Sequence, residues 1–168
     1  MSNPDTVYTI YIASTPEKVF EALTTAAFSK QYFFGFAVEA ELHAGGAFIV
    51  RAPDGSVHIG GKVLACDPPR KLSVTWNVNW PGLVEALGET VVTYDIEQAG
   101  DAVRLTMTES HARDLPEDIL SGGRAGWPAI LSSLKSMLET GKPLAVNMDP
   151  PMKMLAALKA LGVTVPGM

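Results

Sequence analysis

The stretch Gly126–Trp127–Pro128–Ala129–Ile130–Leu131–Ser132–Ser133–Leu134–Lys135–Ser136–Met137–Leu138–Glu139–Thr140–Gly141 decides the fold. Trp127, Ile130, Leu131, Leu134, Met137 and Leu138 step by three and four, the period of one helix face. Pro128 suits the first turn, where a missing N–H costs nothing, and Gly141 suits the position just past the end, where φ turns positive. Such a helix is roughly 20 Å long, enough to lie across a sheet.

Upstream, the pattern is that of a sheet. Thr6 to Ala13 is β-branched and aromatic and predicts a first strand, with Tyr8, Ile10 and Ile12 on one face. Ser14–Thr15–Pro16–Glu17 then opens a helix whose apolar side is Val19, Phe20 and Leu23. A second short helix is expected from about Ala27 to Phe34, broken by Gly35. From Phe36 to His111 the period is two, with turn residues between runs: Phe36–Leu42, Ala47–Arg51, Val57–Ala65, Leu72–Val78, Glu89–Glu97 and Val103–Ser110. With the first strand these make seven, joined by short turns as in an antiparallel meander.

Parity orients the sheet. Leu72, Val74, Trp76 and Val78, then Val92, Tyr94 and Ile96, then Val103, Leu105 and Met107 should face the long helix, leaving the other face wet. Glu109 and His111 continue the last of these sets. A carboxylate and an imidazole at a cavity mouth could bind a ligand's polar end or move a proton; the plainer reading is a wet strand end. After Gly141–Lys142–Pro143, the sequence Asp149–Pro150–Pro151 resembles a helix start, and Met154, Leu155, Leu158 and Leu161 suggest a short amphipathic tail helix. Docking on its own domain is the plain reading of this tail; a lid or a dimer contact is the sharper one. The expected organisation is one domain over 1–145 and a tail over 146–168.

With 168 residues the chain has room for one domain with a substantial core. A net charge of −5 and no Lys/Arg cluster argue against nucleic acid and anionic membranes. The single cysteine, Cys66, excludes an intramolecular disulfide and reads as an ordinary part-buried thiol. Met1–Asp5 is polar and unlike a signal peptide, and no apolar run approaches a membrane span, so a cytoplasmic protein is expected. His43, His58 and His111 show no metal-ligand spacing; neither a metal nor another cofactor is expected. No phosphate loop or nucleophile elbow is present. Arg124, before the long helix, is a candidate to clamp a carboxylate; a solvated role is the plainer reading.

Taken together, the order of elements resembles the helix-grip fold of the START-like, pollen-allergen-like (SRPBCC) superfamily. Within it the chain is similar to the activator of heat-shock-protein-90 ATPase homologue family. The residues that carry the likeness are Ile12 to Thr24, Gly61–Lys62–Val63–Leu64 leading to Asp67–Pro68–Pro69–Arg70–Lys71–Leu72, Val74–Thr75–Trp76, Arg104 to Thr108, and Gly126–Trp127 with Leu131, Leu134 and Leu138–Glu139–Thr140–Gly141. The resemblance implies an α+β helix-grip fold: a seven-stranded curved antiparallel sheet wrapping a long C-terminal helix, with two short helices after strand one. It also implies a hydrophobic cavity between helix and sheet, and no particular reaction. Where relatives often carry a histidine after the Leu–Thr–x–Thr run, this chain has Glu109, with His111 two residues on; the tail helix is its own feature.

Three functions follow as expectations. The first is binding of a small hydrophobic or aromatic molecule by Trp76, Tyr94, Met107, Glu109, His111, Trp127, Leu131 and Leu134, in stress response or in lipid- or polyketide-like metabolism. The second is a cyclase- or hydrolase-like enzyme using Glu109 or His111 as a base; no catalytic motif stands out. The third is a co-chaperone acting on a heat-shock-protein-90 ATPase. A homodimer is left open.

Overall fold

The computed structural model describes residues 6–147 and 149–166; the polar start Met1–Asp5 lies outside the described residues. Strand β1 (Thr6–Ile12) alternates as expected, with Val7 and Tyr11 exposed and Ile12 buried. Helix α1 (Pro16–Thr24) starts where predicted: the Thr15 hydroxyl accepts from the Lys18 N–H at 3.3 Å, and Pro16 fills the first turn. Helix α2 (Ala26–Tyr32) ends two residues before the expected Phe34, because Phe34 and Gly35 adopt φ of 53° and 88°.

The sheet continues with β2 (Ala37–Ala40), β3 (Ala47–Arg51), β4 (Val57–Asp67), β5 (Lys71–Thr75), β6 (Asn77–Val78), β7 (Thr90–Ala99) and β8 (Ala102–His111). Its order is β1-β8-β7-β5-β4-β3-β2, antiparallel and unclosed, with β6 on β4. The expected strand Leu72–Val78 is therefore two strands: among the described residues the path has the expected seven, and the short β6 is an eighth beside β4. The break is at Trp76, whose N–H donates to the Thr90 carbonyl at 2.7 Å, while Asn77 and Val78 turn to pair with Gly60 and Ile59.

Gly61 explains how β4 and β5 come this close. A Cβ there would lie 2.0 Å from the Thr75 carbonyl oxygen and 2.9 Å from its carbon, both backbone atoms that cannot swing aside. Gly61→Ala is expected to cost about 1–3 kcal/mol in a urea melt, the usual range for overpacking. An unchanged midpoint would mean that the strands do not approach this closely.

Two helical features differ from the expectation. Helix α3 (Leu83–Leu87) stands between Gly82 and Gly88, at φ of 86° and 76°, in a segment with no predicted element. The long helix α4 (Glu117–Thr140) starts at Glu117 instead of Gly126, so Pro128 lies inside it rather than at its first turn. Glu117 and Asp118 favour the positive end of the helix dipole, and the helix runs through Gly122 and Gly123. These glycines cost helix propensity but allow close packing: a Cβ on Gly122 would lie 1.9 Å from Met154 Sδ, and one on Gly123 2.8 Å from Glu109 Oε1. Gly141 closes α4 at φ 82°, as its sequence predicts. The tail forms α5 (Met152–Ala160).

Two apolar clusters result. The larger joins α1, α2 and the C-terminal half of α4 to the parity face of the sheet, including Leu72, Val74, Val92, Tyr94, Ile96, Val103, Leu105 and Met107. The smaller joins Leu83 and Leu87 of α3, Ile119 of α4, Leu155 and Leu158 of α5, and Val163 and Val165 beyond it. No helix among the described residues is long and apolar enough to cross a membrane.

Candidate functional site

Between the two clusters lies a cavity of about 550 Å³, within the usual range of ligand pockets. One wall comes from the larger cluster (Phe33, Ile59, Trp76, Trp127, Ile130), the other from the smaller one (Leu83, Leu87, Ile119, Leu158). Exposed Asn147 and Asp149, in the connection to α5, lie at its edge. The tail is thus part of the cavity wall.

The inner wall is aromatic. Phe33 lies parallel to Trp76 (centroids 6.1 Å apart, planes 3° apart) and stacks on Phe36 at 5.4 Å. Trp76 packs on Trp127 at 5.0 Å with a 52° tilt. Chain geometry brings these rings together: the left-handed turn at Phe34–Gly35 presents Phe33 and Phe36 on the same side as the break at Trp76. All three tryptophans of the chain, Trp76, Trp80 and Trp127, line the cavity.

One corner is polar. Glu109 and His111, two residues apart on β8, keep the inward parity and are each 8% exposed. The Trp127 indole N–H donates to Glu109 Oε2 at 2.8 Å, a buried hydrogen bond. Glu109 Oε1 is 3.4 Å from His111 Nε2, but the alignment is not that of a hydrogen bond, and Nε2 is buried without a partner among the described residues. On the other side of the ring, His111 Nδ1 and Thr90 Oγ1 are 3.2 Å apart, across the register pair Thr90–His111. Tyr8, on the neighbouring strand, has its hydroxyl pKa raised by burial and then by Glu109. Tyr94 is held well above its ordinary value by burial, then by Tyr32 and Glu109, so it stays a protonated phenol.

The eight residues singled out in the sequence separate into two groups. Trp76, Glu109, His111 and Trp127 line the cavity. Tyr94, Leu131 and Leu134 instead border, with Trp76 and Trp127, a void of only about 10 Å³ deeper in the core, and Met107 borders neither space. These four are packing residues, because the helix-to-sheet seam beneath Trp127 is filled. The sequence reading missed Phe33, Phe36, His58 and Trp80, and the α3 and α5 side chains opposite them. The run Phe33–Phe34–Gly35–Phe36 was the available signal, since aromatics around a helix-breaking glycine seldom all find core positions. Arg124 pairs with Glu117 and does not line the cavity, but its charge acts on Tyr8, opposing the effect of Glu109 there. Cys66 is half-buried, its thiol pushed up by burial and by the Asp67 carboxylate.

His58 lies edge-on to Phe36 at 4.8 Å, and burial lowers its pKa from 6.5. The unfolded chain then binds this proton more readily than the folded one. His58 therefore makes stability fall as pH drops through 6.5 toward the depressed folded value, with its full contribution present above 6.5. Melting curves of the wild type and His58→Gln should converge toward higher pH and differ in their acid-side slope. Parallel profiles would mean that the imidazole is solvated.

A family model described as "Activator of Hsp90 ATPase homolog 1-like protein" matches residues 13–139. Among solved structures, protein MLL2253 from Mesorhizobium loti is 27% identical at a TM-score of 0.66, covering 80% of this chain and 96% of that one. The Aha1 dimer from Colwellia psychrerythraea is 22% identical at a TM-score of 0.67, covering 83% and 99%. CalU16 from Micromonospora echinospora, 17% identical with a TM-score of 0.62, covers 94% of this chain and 83% of its own. No curated protein matches the chain.

Proposed function

Because the chain belongs to the activator of Hsp90 ATPase homolog 1-like family, with a helix-grip fold, we propose that it binds a small, largely apolar ligand in the cytoplasm. The observation that carries this reading is the cavity of about 550 Å³ between the two apolar clusters, with aromatic walls and one polar corner.

Native mass spectrometry of the full chain with an excess of 2-naphthol is the test. One adduct per chain is expected, weakened in Leu87→Trp, which narrows the cavity. No adduct at saturating 2-naphthol would overturn the reading.

A second reading is acid–base catalysis, favoured by the Glu109–His111 pair facing the cavity at 3.4 Å. It predicts turnover that Glu109→Gln abolishes while binding persists. Two readings come from relatives alone: stimulation of an Hsp90 ATPase, from the family description, and self-association, from the Colwellia dimer. Each requires an outer surface rather than the cavity, and an ATPase assay and sedimentation of the full chain test them.

A further inference from the structure

We propose that the tail, residues 152–166, is a strap that undocks as one unit from α3 and the N-terminal half of α4, and that an occupant of the cavity holds it docked. The coupling to an occupant rests on the ligand-binding reading above; the undocking does not.

The strap is separable from the rest of the fold. Its buried side chains Leu155, Leu158, Val163 and Val165 all belong to the smaller apolar cluster and none to the larger one. Among the described residues no salt bridge ties it to the rest of the chain. One backbone hydrogen bond does, from the Thr164 N–H to the Pro81 carbonyl at 2.9 Å. Upstream, residues 141–147 carry no helix or strand and are exposed throughout. Their tie to α4 there is the Leu144 N–H, which donates to the Ser133 hydroxyl at 3.2 Å. Undocking therefore leaves the larger core whole. Segments with few buried contacts and few cross-links are the ones that open at low free energy.

The docked position is nevertheless well defined. Gly122 is unfavourable inside a helix, but it leaves a notch in α4 that the Met154 thioether fills. Methionine is flexible enough to enter and leave such a notch without moving the backbone. At the other end, the start of α3 lies against the turn at Gly162: a Cβ on Gly82 would be 2.9 Å from the Gly162 carbonyl oxygen.

The cavity connects this movement to binding. Met154 and Leu158 line it from the strap, while Trp76, Trp127 and Ile130 line it from the larger cluster. A molecule touching both walls binds the docked form better than the undocked one, and by linkage docking tightens its hold on the molecule. Release then waits on undocking. The family match ends at residue 139, so the strap is made of residues outside it.

The test locks the strap in place. A Cβ on Gly122 would lie 3.5 Å from Met154 Cγ, the position a cysteine sulfur at 154 takes, so Gly122→Cys with Met154→Cys can close a disulfide between α4 and α5 in a Cys66→Ser background. Intact mass checks closure, and circular dichroism checks the fold in both redox states. In stopped flow, 2-naphthol should leave the oxidised form at least about tenfold more slowly than the form reduced with dithiothreitol, since differences between related complexes fall mainly on dissociation. Equal release rates would overturn the strap while the ligand-binding reading stands. No binding of 2-naphthol to either form or to the wild type would overturn that reading and, with it, the coupling. Hydrogen exchange of the wild-type chain tests the undocking without any substitution. Amides of residues 155–160 should exchange as a group, faster than those of residues 131–137 in α4, and saturating 2-naphthol should slow the first group alone. Exchange of both groups at one common rate would overturn the proposal.

Discussion

Leu134→Ala should lower the free energy of unfolding by about 3–5 kcal/mol, the upper part of the range for removing a buried leucine. Leu134 is 0% exposed, in the middle of α4, against the parity face of the sheet. It borders a void of about 10 Å³, too small to let neighbours relax into the deletion, and does not line the larger cavity. For a chain of this length the melting temperature should drop by roughly 10 °C. A loss near the low end would mean that Leu134 faces an open cavity wall instead. No loss would mean that α4 is not the central layer.

Trp127→Phe carries the second large effect. The substitution keeps a ring at the junction of core and cavity and removes one N–H. Glu109 Oε2 then loses its 2.8 Å donor in a buried setting. The cost should be about 2–3 kcal/mol, the scale for a hydrogen bond to a charged group whose partner is left unmet. A double-mutant cycle isolates it: in a Glu109→Leu background, Trp127→Phe should cost much less, because no buried acceptor remains to be stranded. Equal costs in both backgrounds would assign the effect to ring packing alone.

These two residues mark how far the sequence could be read. The seam around Leu134 was legible because it rests on two periods, 3.6 along α4 and two along β5, β7 and β8, and each repeats often enough to set parity. The same parity carried Glu109 and His111 inward past the end of the apolar run. Three features were not legible, for one reason: each depends on contacts between residues distant in the chain. The strand break at Trp76 goes with its N–H reaching the Thr90 carbonyl while Asn77 and Val78 pair with Gly60 and Ile59. The early start of α4 runs through Gly122 and Gly123, which local propensity marks as a break, because Met154 and Glu109 occupy the space their side chains would need. The cavity collects Phe33, His58, Trp80, Leu87 and Leu158 from five separate segments, and no spacing within one segment foretells that meeting. Hence Tyr94, Met107, Leu131 and Leu134, chosen by parity, are core, while much of the outer wall came from elements with weak or no sequence signal.

The central claim is that the space between the sheet-and-helix core and the tail is a ligand site. Because Trp76, Trp80 and Trp127 all line it, their three indole N–H signals in a nitrogen–proton correlation spectrum report on it directly. Titration with 2-naphthol should shift all three together and saturate at one equivalent per chain, with the Trp127 signal also reporting on the Glu109 corner. Indole signals that stay in place at saturating 2-naphthol, or shifts confined to residues outside the cavity, would contradict the account.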